Sequence, residues 1–225
     1  MPVHLIRKQP GIIGVLDLQG GVHEHVDHLE RLGIPQKRVK QQTDFDDLAG
    51  LIIPGGESTC LARLIHIFDL KNVILQHYRR GMKVWGTCAG AILLANKVTG
   101  AEPCLGLIDM EIERNSFGSQ LDSFVSKAQI KAVSSNSIPL TFIRAPKILH
   151  TGKDVNILLK IDDYIAAAES DNVLVTVFHP ELTGCLELHR YFARKCGLQP
   201  ATGRPDSLGQ SWETSSWTRL ARIAT

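Results

Sequence analysis

The segment GTCAG, residues 86–90, places Cys88 between a predicted strand at 83–85 and a helix-like stretch. A tight turn of small residues between a strand and a helix exposes the central side chain, the arrangement called a nucleophile elbow. The start of a helix also favours an anionic sulfur, because its macrodipole and free N–H groups stabilise negative charge. The pattern indicates a nucleophilic thiolate at Cys88, with an inert buried cysteine as the alternative.

A nucleophilic cysteine needs a base, and His179 with Glu181 offers a base and the group that orients it. Both residues belong to the tripeptide HPE, which follows the apolar stretch 174–178 and so lies at a strand end. In an extended segment, residues two apart point to the same side, so the sequence predicts that the imidazole and the carboxylate share a face. A surface turn without a catalytic role is the alternative for this tripeptide taken alone.

The segment PGGEST, residues 54–59, follows the apolar stretch 51–53 and opens a helix, with Ser58 as the expected N-cap. Adjacent glycines allow a close backbone approach, so the N–H of Gly56 is expected to face a ligand oxyanion. The alternative is a tight strand-to-helix turn with no further role.

The elements around these segments alternate between short apolar runs and longer helix-like stretches, which predicts an α/β layout with parallel strands. Ligands of such sheets bind outside the carboxyl ends of the strands, so the turns at 19–21, 54–59 and 86–90 are expected to face one crevice. The predicted helices are Val22 to Leu32, one beginning near Ser58, Ala91 to Val98, and Leu186 to Lys195. The candidate strands, some of them antiparallel, are 12–16, one around Val39, 51–53, 83–86, 107–113, 141–143, 155–159, 164–168 and 174–178.

The composition of the 225 residues excludes several classes of protein. A net charge of +2 without a charged block disfavours a nucleic-acid partner. The uncharged stretch Val84 to Asn96 is well short of the ~20 apolar residues of a membrane span. No secretory signal is visible, so a cytoplasmic location is expected. Five cysteines without a CxxC pair disfavour a disulfide framework and a structural zinc site.

The chain divides into an N-terminal extension at 1–10, one domain at 11–196 and a polar tail at 197–225 that is expected to be disordered.

Six segments in this order resemble the glutaminase subunits of pyridoxal 5'-phosphate synthase, which are class I glutamine amidotransferases. They are LDLQGG at 16–21, PGGEST at 54–59, GTCAG at 86–90, ERNSFGSQLDSF at 113–124, FIRAP at 142–146 and FHPEL at 178–182. The resemblance covers roughly residues 11 to 196. It implies a flavodoxin-like three-layer fold, with a mostly parallel central sheet, helices on both faces and a few antiparallel strands.

The resemblance also implies an activity. Cys88 would attack the carboxamide of L-glutamine, with His179 as the proton acceptor and donor and Glu181 orienting it. The backbone N–H groups of Gly56 and Ala89 would form the oxyanion hole. The residues implied to hold the substrate are Gly56, Glu57, Ser58, Arg114, Ile143 and Arg144.

In this family the ammonia passes to a (β/α)8-barrel synthase subunit, and the glutaminase needs no cofactor. The residues implied to contact that partner are Gln19, His23, Glu24, His25 and His28. A zinc site at the three histidines is disfavoured, because their spacing turns His23 away from the other two. A cysteine hydrolase, a catalytically silent binding subunit and an amidotransferase of another pathway are the alternatives to this reading.

Overall fold

The computed structural model describes residues 11–114 and 123–200. Within these ranges the strands are β1 (Ile12–Leu16), β2 (Gln36–Val39), β3 (Leu48–Ile53), β4 (Lys83–Thr87), β5 (Ala95–Val98), β6 (Ile108–Glu113), β7 (Ser123–Gln129), β8 (Ser137–Ile143), β9 (Lys147–Thr151), β10 (Asn156–Ile161), β11 (Tyr164–Glu169) and β12 (Val173–Thr176). The α-helices are α1 (Val22–Arg31), α2 (Ser58–Ile67), α3 (Leu70–Arg79), α4 (Ala89–Leu94) and α5 (Glu187–Lys195).

A parallel sheet forms the centre of the domain, in the strand order β2-β1-β3-β4-β12. Its inner strands are almost continuously apolar, and β12 is buried at every position. Such runs are expected for parallel strands that helices cover on both faces. The buried side chains of the sheet and helices form one hydrophobic core.

The helices lie on both faces of this sheet because the direction of strand addition reverses after β1. The chain moves from β1 to β2 on one side, and from β3 to β4 on the other. Right-handed crossovers then place α1 and the α2–α3 pair on opposite faces. Helix α5 packs beside α1, where His28 contacts His189. Helix α2 packs against α3 and α4. The predicted three-layer fold is confirmed, and a ligand crevice is expected where the order reverses.

The second half of the sheet contains the antiparallel pairs, in the order β12-β11-β9-β6, with β10 beside β11. Strands β7 and β8 form a separate two-stranded sheet. The predicted helix from Ala91 to Val98 is wrong in its second half, where residues 95–98 form β5. Strand β5 pairs in parallel with β6, and the side chain of Asn96 donates to Asp109 and accepts from the N–H of Met110. These sheet bonds outweigh the helical pattern.

The end of α5 extends the domain slightly past the predicted boundary at 196. Gly197, with φ of +77°, donates its N–H to the carbonyl of Arg194, and Leu198 donates to Ala193. Leu198 is also buried in the core. These bonds satisfy the terminal carbonyls of the helix. The predicted extension at 1–10 and most of the predicted tail, 201–225, lie outside the described residues.

In the described part of the chain, no helix is both long and apolar enough to cross a membrane.

Candidate active site

Cys88 lies on a sharp turn between β4 and α4, as the GTCAG segment predicts. Its backbone has φ of +48° and ψ of −106°, a left-handed conformation that is rare for a residue with a side chain. A hydrogen bond stabilises this strained backbone conformation, because the N–H of Cys88 donates to the carbonyl of Thr176 in β12. Gly90 packs so closely on β3 that a Cβ there would lie 2.0 Å from the carbonyl oxygen of Ile53. The structure therefore contains the expected strand–turn–helix elbow.

His179 lies between Cys88 and Glu181. Its Nδ1 is 2.8 Å from Oε1 of Glu181, and its ring and the Cys88 side chain line the same cavity. The backbone N–H of His179 donates to the carbonyl of Thr141 in β8, and this bond fixes the backbone of His179 beside that strand. The prediction that this tripeptide is extended is wrong, because Pro180–Leu182 form a 3₁₀ turn. The imidazole and carboxylate meet through that turn instead.

The electrostatics of this pair favour an imidazolium beside a carboxylate. Burial lowers the pKa of His179, but the charges of Glu181 and Cys88 outweigh it and raise that pKa well above its ordinary value. Burial raises the pKa of Glu181, while His25 and His179 oppose it and the net pKa is lowered. Since Glu181 is only 1% exposed, little water screens the interaction.

The PGGEST loop approaches the elbow through Gly55, whose N–H donates to Oγ1 of Thr87 at 2.9 Å. Glu57, rather than the expected Ser58, is the N-cap of α2. Its carboxylate accepts from the N–H groups of Thr59 and Cys60, and the N–H of Thr59 contributes most to lowering its pKa. A carboxylate can satisfy two free N–H groups of a helix start, whereas a hydroxyl of the following residue cannot reach them.

A cavity of about 690 Å³ opens at the carboxyl ends of β1, β3 and β4. All ten residues that the sequence assigned to catalysis, the oxyanion hole or the substrate line it: Gly56, Glu57, Ser58, Cys88, Ala89, Arg114, Ile143, Arg144, His179 and Glu181. The loop residues Gly20, Gly21 and Gly55 also line it, as do Ile92, Pro146 and Leu182. The expected single crevice is therefore present.

Arginine side chains supply the positive charge of this cavity. Arg114 donates from Nη2 to Oγ1 of Thr59 at 2.9 Å and lies 3.7 Å from Oε1 of Glu57. Arg144 follows β8 with a strained φ of +42° and lines the same cavity. The backbone carbonyl of Ile143 lies 4.0 Å from Sγ of Cys88. A fixed guanidinium of this kind suits the α-carboxylate of an amino acid.

The predicted partner contacts divide into two groups. Gln19 and Glu24 line the cavity, His23 is exposed, and Oε1 of Gln19 accepts from the N–H of Glu57. His25 and His28 are fully buried, so the prediction that they contact a partner subunit is wrong for these two side chains. They lie on the inner face of α1, because residues three apart in a helix share a face.

The buried pair contacts a third histidine, His189 of α5, that the sequence reasoning missed. Nδ1 of His25 is 2.8 Å from Nε2 of His189, and Nδ1 of His28 is 3.0 Å from Nδ1 of His189. Among the described residues, no group of three or more histidine, cysteine, aspartate or glutamate side chains is arranged to hold a metal ion. Thr87 was also missed as a functional residue, although it lies within the GTCAG segment.

Comparison with known proteins agrees with this geometry. The SNO glutamine amidotransferase family matches residues 15–198. A pyridoxal 5'-phosphate synthase subunit PdxT from Syntrophus aciditrophicus is 62% identical over 211 residues, covering 93% of this chain and 94% of that relative. The protein of the same name from Clostridium acetobutylicum is 46% identical over 183 residues, covering 81% and 98%. The first match covers more of the chain than residues 11–196, so it extends into the terminal segments.

A solved structure of a glutamine amidotransferase is 38% identical, covers 84% of this chain and all of its own, and superposes with a TM-score of 0.79. The resemblance to the glutaminase subunits of pyridoxal 5'-phosphate synthase is thereby confirmed, and the enzyme class is that of the glutamine amidotransferases. With a family match over four fifths of its length, the chain belongs to the SNO glutamine amidotransferase family.

Proposed function

We propose that the chain hydrolyses L-glutamine to L-glutamate and ammonia through a γ-glutamyl thioester on Cys88. The observation that carries this proposal is the position of His179, which hydrogen-bonds Glu181 and lines, together with Cys88, a cavity edged with arginine. A thiolate paired with an imidazolium attacks carbonyl carbon without a metal or organic cofactor. The carboxylate of Glu181 fixes the ring so that one nitrogen faces the sulfur.

The reaction proceeds in two halves. The sulfur of Cys88 attacks the carboxamide carbon, and the N–H groups of Gly56 and Ala89 stabilise the charge that develops on the oxygen. His179 gives its proton to the leaving nitrogen, the C–N bond breaks, and ammonia leaves. His179 then takes a proton from water, which attacks the thioester, releases L-glutamate and restores the sulfur. Substrate contacts come from Glu57, Ser58, Arg114, Ile143 and Arg144, all of which line the cavity.

The ammonia passes to a separate synthase subunit, a (β/α)8 barrel, for pyridoxal 5'-phosphate synthesis in the cytoplasm. This part of the proposal is supported by the relatives, which are named as subunits of pyridoxal 5'-phosphate synthase. Gln19 links the proposed docking surface to the active site, because its Oε1 accepts from the N–H of Glu57 in the loop that carries Gly56. Exposed His23 and the cavity residue Glu24 lie on the helix that follows. The partner therefore has access to the loop that carries half of the oxyanion hole.

Glutamate release from L-glutamine tests the proposal, measured for the full chain alone and with the synthase subunit from its source organism. We expect release to increase with the partner and to vanish in Cys88→Ala. Cys60→Ala is the matched control, because Cys60 is an exposed cysteine outside the cavity, and it should keep wild-type activity. Release that persists in Cys88→Ala, or no release in either condition, would contradict the proposed reaction.

A further inference from the structure

A chain of three buried imidazoles extends the catalytic pair into the interior. His25, His28 and His189 are each 0% exposed and contact one another at 2.8 and 3.0 Å through their ring nitrogens. Nε2 of His25 lies 3.5 Å from Oε2 of Glu181, the carboxylate oxygen that does not face His179. That oxygen is buried and has no hydrogen-bond partner among the described residues, and His25 is the side chain beside it.

We propose that His25 is a positioning residue, which donates from Nε2 to Oε2 of Glu181 and holds the carboxylate in the orientation that His179 requires. The proposal rests on the glutaminase reaction above and deepens it. Burying three polar rings together is costly unless their nitrogens are hydrogen-bonded. Contacts between the rings satisfy both nitrogens of His189 and Nδ1 of His25, and Nε2 of His25 faces the carboxylate of Glu181.

The direction of the hydrogen bonds follows from the carboxylate. An ionised carboxylate can only accept, so Nε2 of His25 must carry the proton. Nδ1 of His25 then accepts from Nε2 of His189, and Nδ1 of His189 accepts from Nδ1 of His28. His25 and His189 each donate once and accept once along this line, and the carboxylate itself sets the tautomer of His25.

His25 also contacts Thr87, which supports the glycine loop from the interior. Its Nε2 lies 3.4 Å from Oγ1 of Thr87, which accepts from the N–H of Gly55 at 2.9 Å. The same ring therefore borders both the carboxylate that orients the base and the threonine that holds the glycine loop. Gly55 is the residue next to Gly56, whose N–H we assign to the oxyanion hole.

The surroundings keep the three rings neutral, as this role requires. Burial lowers the pKa of His25 to about 4 and that of His28 to about 3, and it lowers the pKa of His189 well below its ordinary value. The charged groups that act on the line are Glu181 and His179 at the His25 end and Arg31 at the other end.

The rings also pack against Trp85, whose centroid lies 5.6 Å from His25 and 4.9 Å from His189. Neutral rings leave the positive charge of the site on His179.

Steady-state kinetics of the full chain with its synthase subunit test the proposal. We expect His25→Ala to lower kcat about 10- to 100-fold, because the carboxylate loses its second anchor, with KM for glutamine little changed. The acid limb of the kcat profile should move to higher pH, since Glu181 loses a donor that favours its charged form. His25→Gln retains an N–H near the position of Nε2 and should restore most of the activity.

His28→Ala is the matched control. It removes an equally buried histidine from the same helix, one turn away, without touching Glu181, and it should keep kcat and the pH profile close to wild type. Thermal unfolding of each variant separates lost stability from lost catalysis. Wild-type kcat in His25→Ala, failure of His25→Gln to restore activity, or an equal loss in His28→Ala would overturn the positioning role. Absence of Cys88-dependent activity in the wild type would instead overturn the proposed glutaminase reaction.

Discussion

Gly55 determines how closely the glycine loop approaches His179, and Gly55→Ala tests whether this close approach matters for the proposed reaction. A Cβ at this position would lie 2.4 Å from Cε1 of His179 and 3.3 Å from Cβ of Cys88. The backbone of Gly55 is outside the left-handed region, so alanine adds no conformational strain there. The added methyl group therefore acts by contact with the imidazole.

The size of the effect follows from this distance. An ordinary contact between carbon atoms is about 3.5 Å, so about 1 Å of separation must be recovered by movement of the ring or of the loop. The backbone of His179 is fixed by its bond to Thr141, and the N–H of Gly55 is fixed by Thr87. A displacement of about 1 Å in a catalytic group can reduce the rate about 100-fold. We expect a decrease in kcat of that order, with a smaller change in KM for glutamine.

Glutamate release at saturating glutamine measures this effect, with the synthase subunit present. Gly81→Ala is the control, because Gly81 has φ of +101° and no atom within 4 Å of a Cβ there. It should lower stability by about 1–2 kcal/mol through strain and leave kcat unchanged. A wild-type kcat in Gly55→Ala would refute the inference that the loop and His179 are packed at this distance during turnover.

Two further predictions concern the substrate charge and the buried histidines. Arg114→Ala should raise KM for glutamine about 10- to 100-fold through loss of a charged hydrogen bond to the substrate. Arg63→Ala is the control and should leave KM unchanged, because Arg63 is exposed and lies outside the cavity. Equal KM values for the two variants in steady-state kinetics would contradict this prediction. Because burial lowers the pKa of His28 to about 3 from 6.5, the unfolded chain binds one more proton between these values, and stability falls as pH falls. The unfolding free energy of His28→Leu, measured with denaturant between pH 6 and 4, should change with pH less steeply than that of the wild type, by about 1.4 kcal/mol per pH unit. An unchanged pH dependence of the unfolding free energy would count against a neutral His28.

The agreement between sequence and structure is best where the signal is local. The GTCAG elbow, the glycine loop and the alternation of apolar runs depend on neighbouring residues, and the structure contains each of them. The N-cap was wrong by one residue, because Glu57 has a longer side chain that reaches the free N–H groups from the position before Ser58. The 3₁₀ turn at Pro180–Leu182 was missed because a three-residue helix has no periodicity to detect.

Strand β5 shows where local pattern fails. Residues 91–98 read as one apolar helix, but pairing with β6 and the bonds of Asn96 to Asp109 and Met110 select a strand after Leu94. Those partners lie more than ten residues further along the chain. No window of sequence around Asn96 contains them.

The sequence by itself determined the residues of the proposed reaction: a cysteine on an elbow, a histidine with a carboxylate two residues on, and a glycine loop whose N–H groups face the cavity. Tertiary structure decided what supports that chemistry. Helix α1 turns His25 and His28 inward, and α5 brings His189 to them from more than 160 residues away. Side-chain burial depends on which helix covers which face of the sheet. That choice follows from the strand order, which is set by packing across the whole domain.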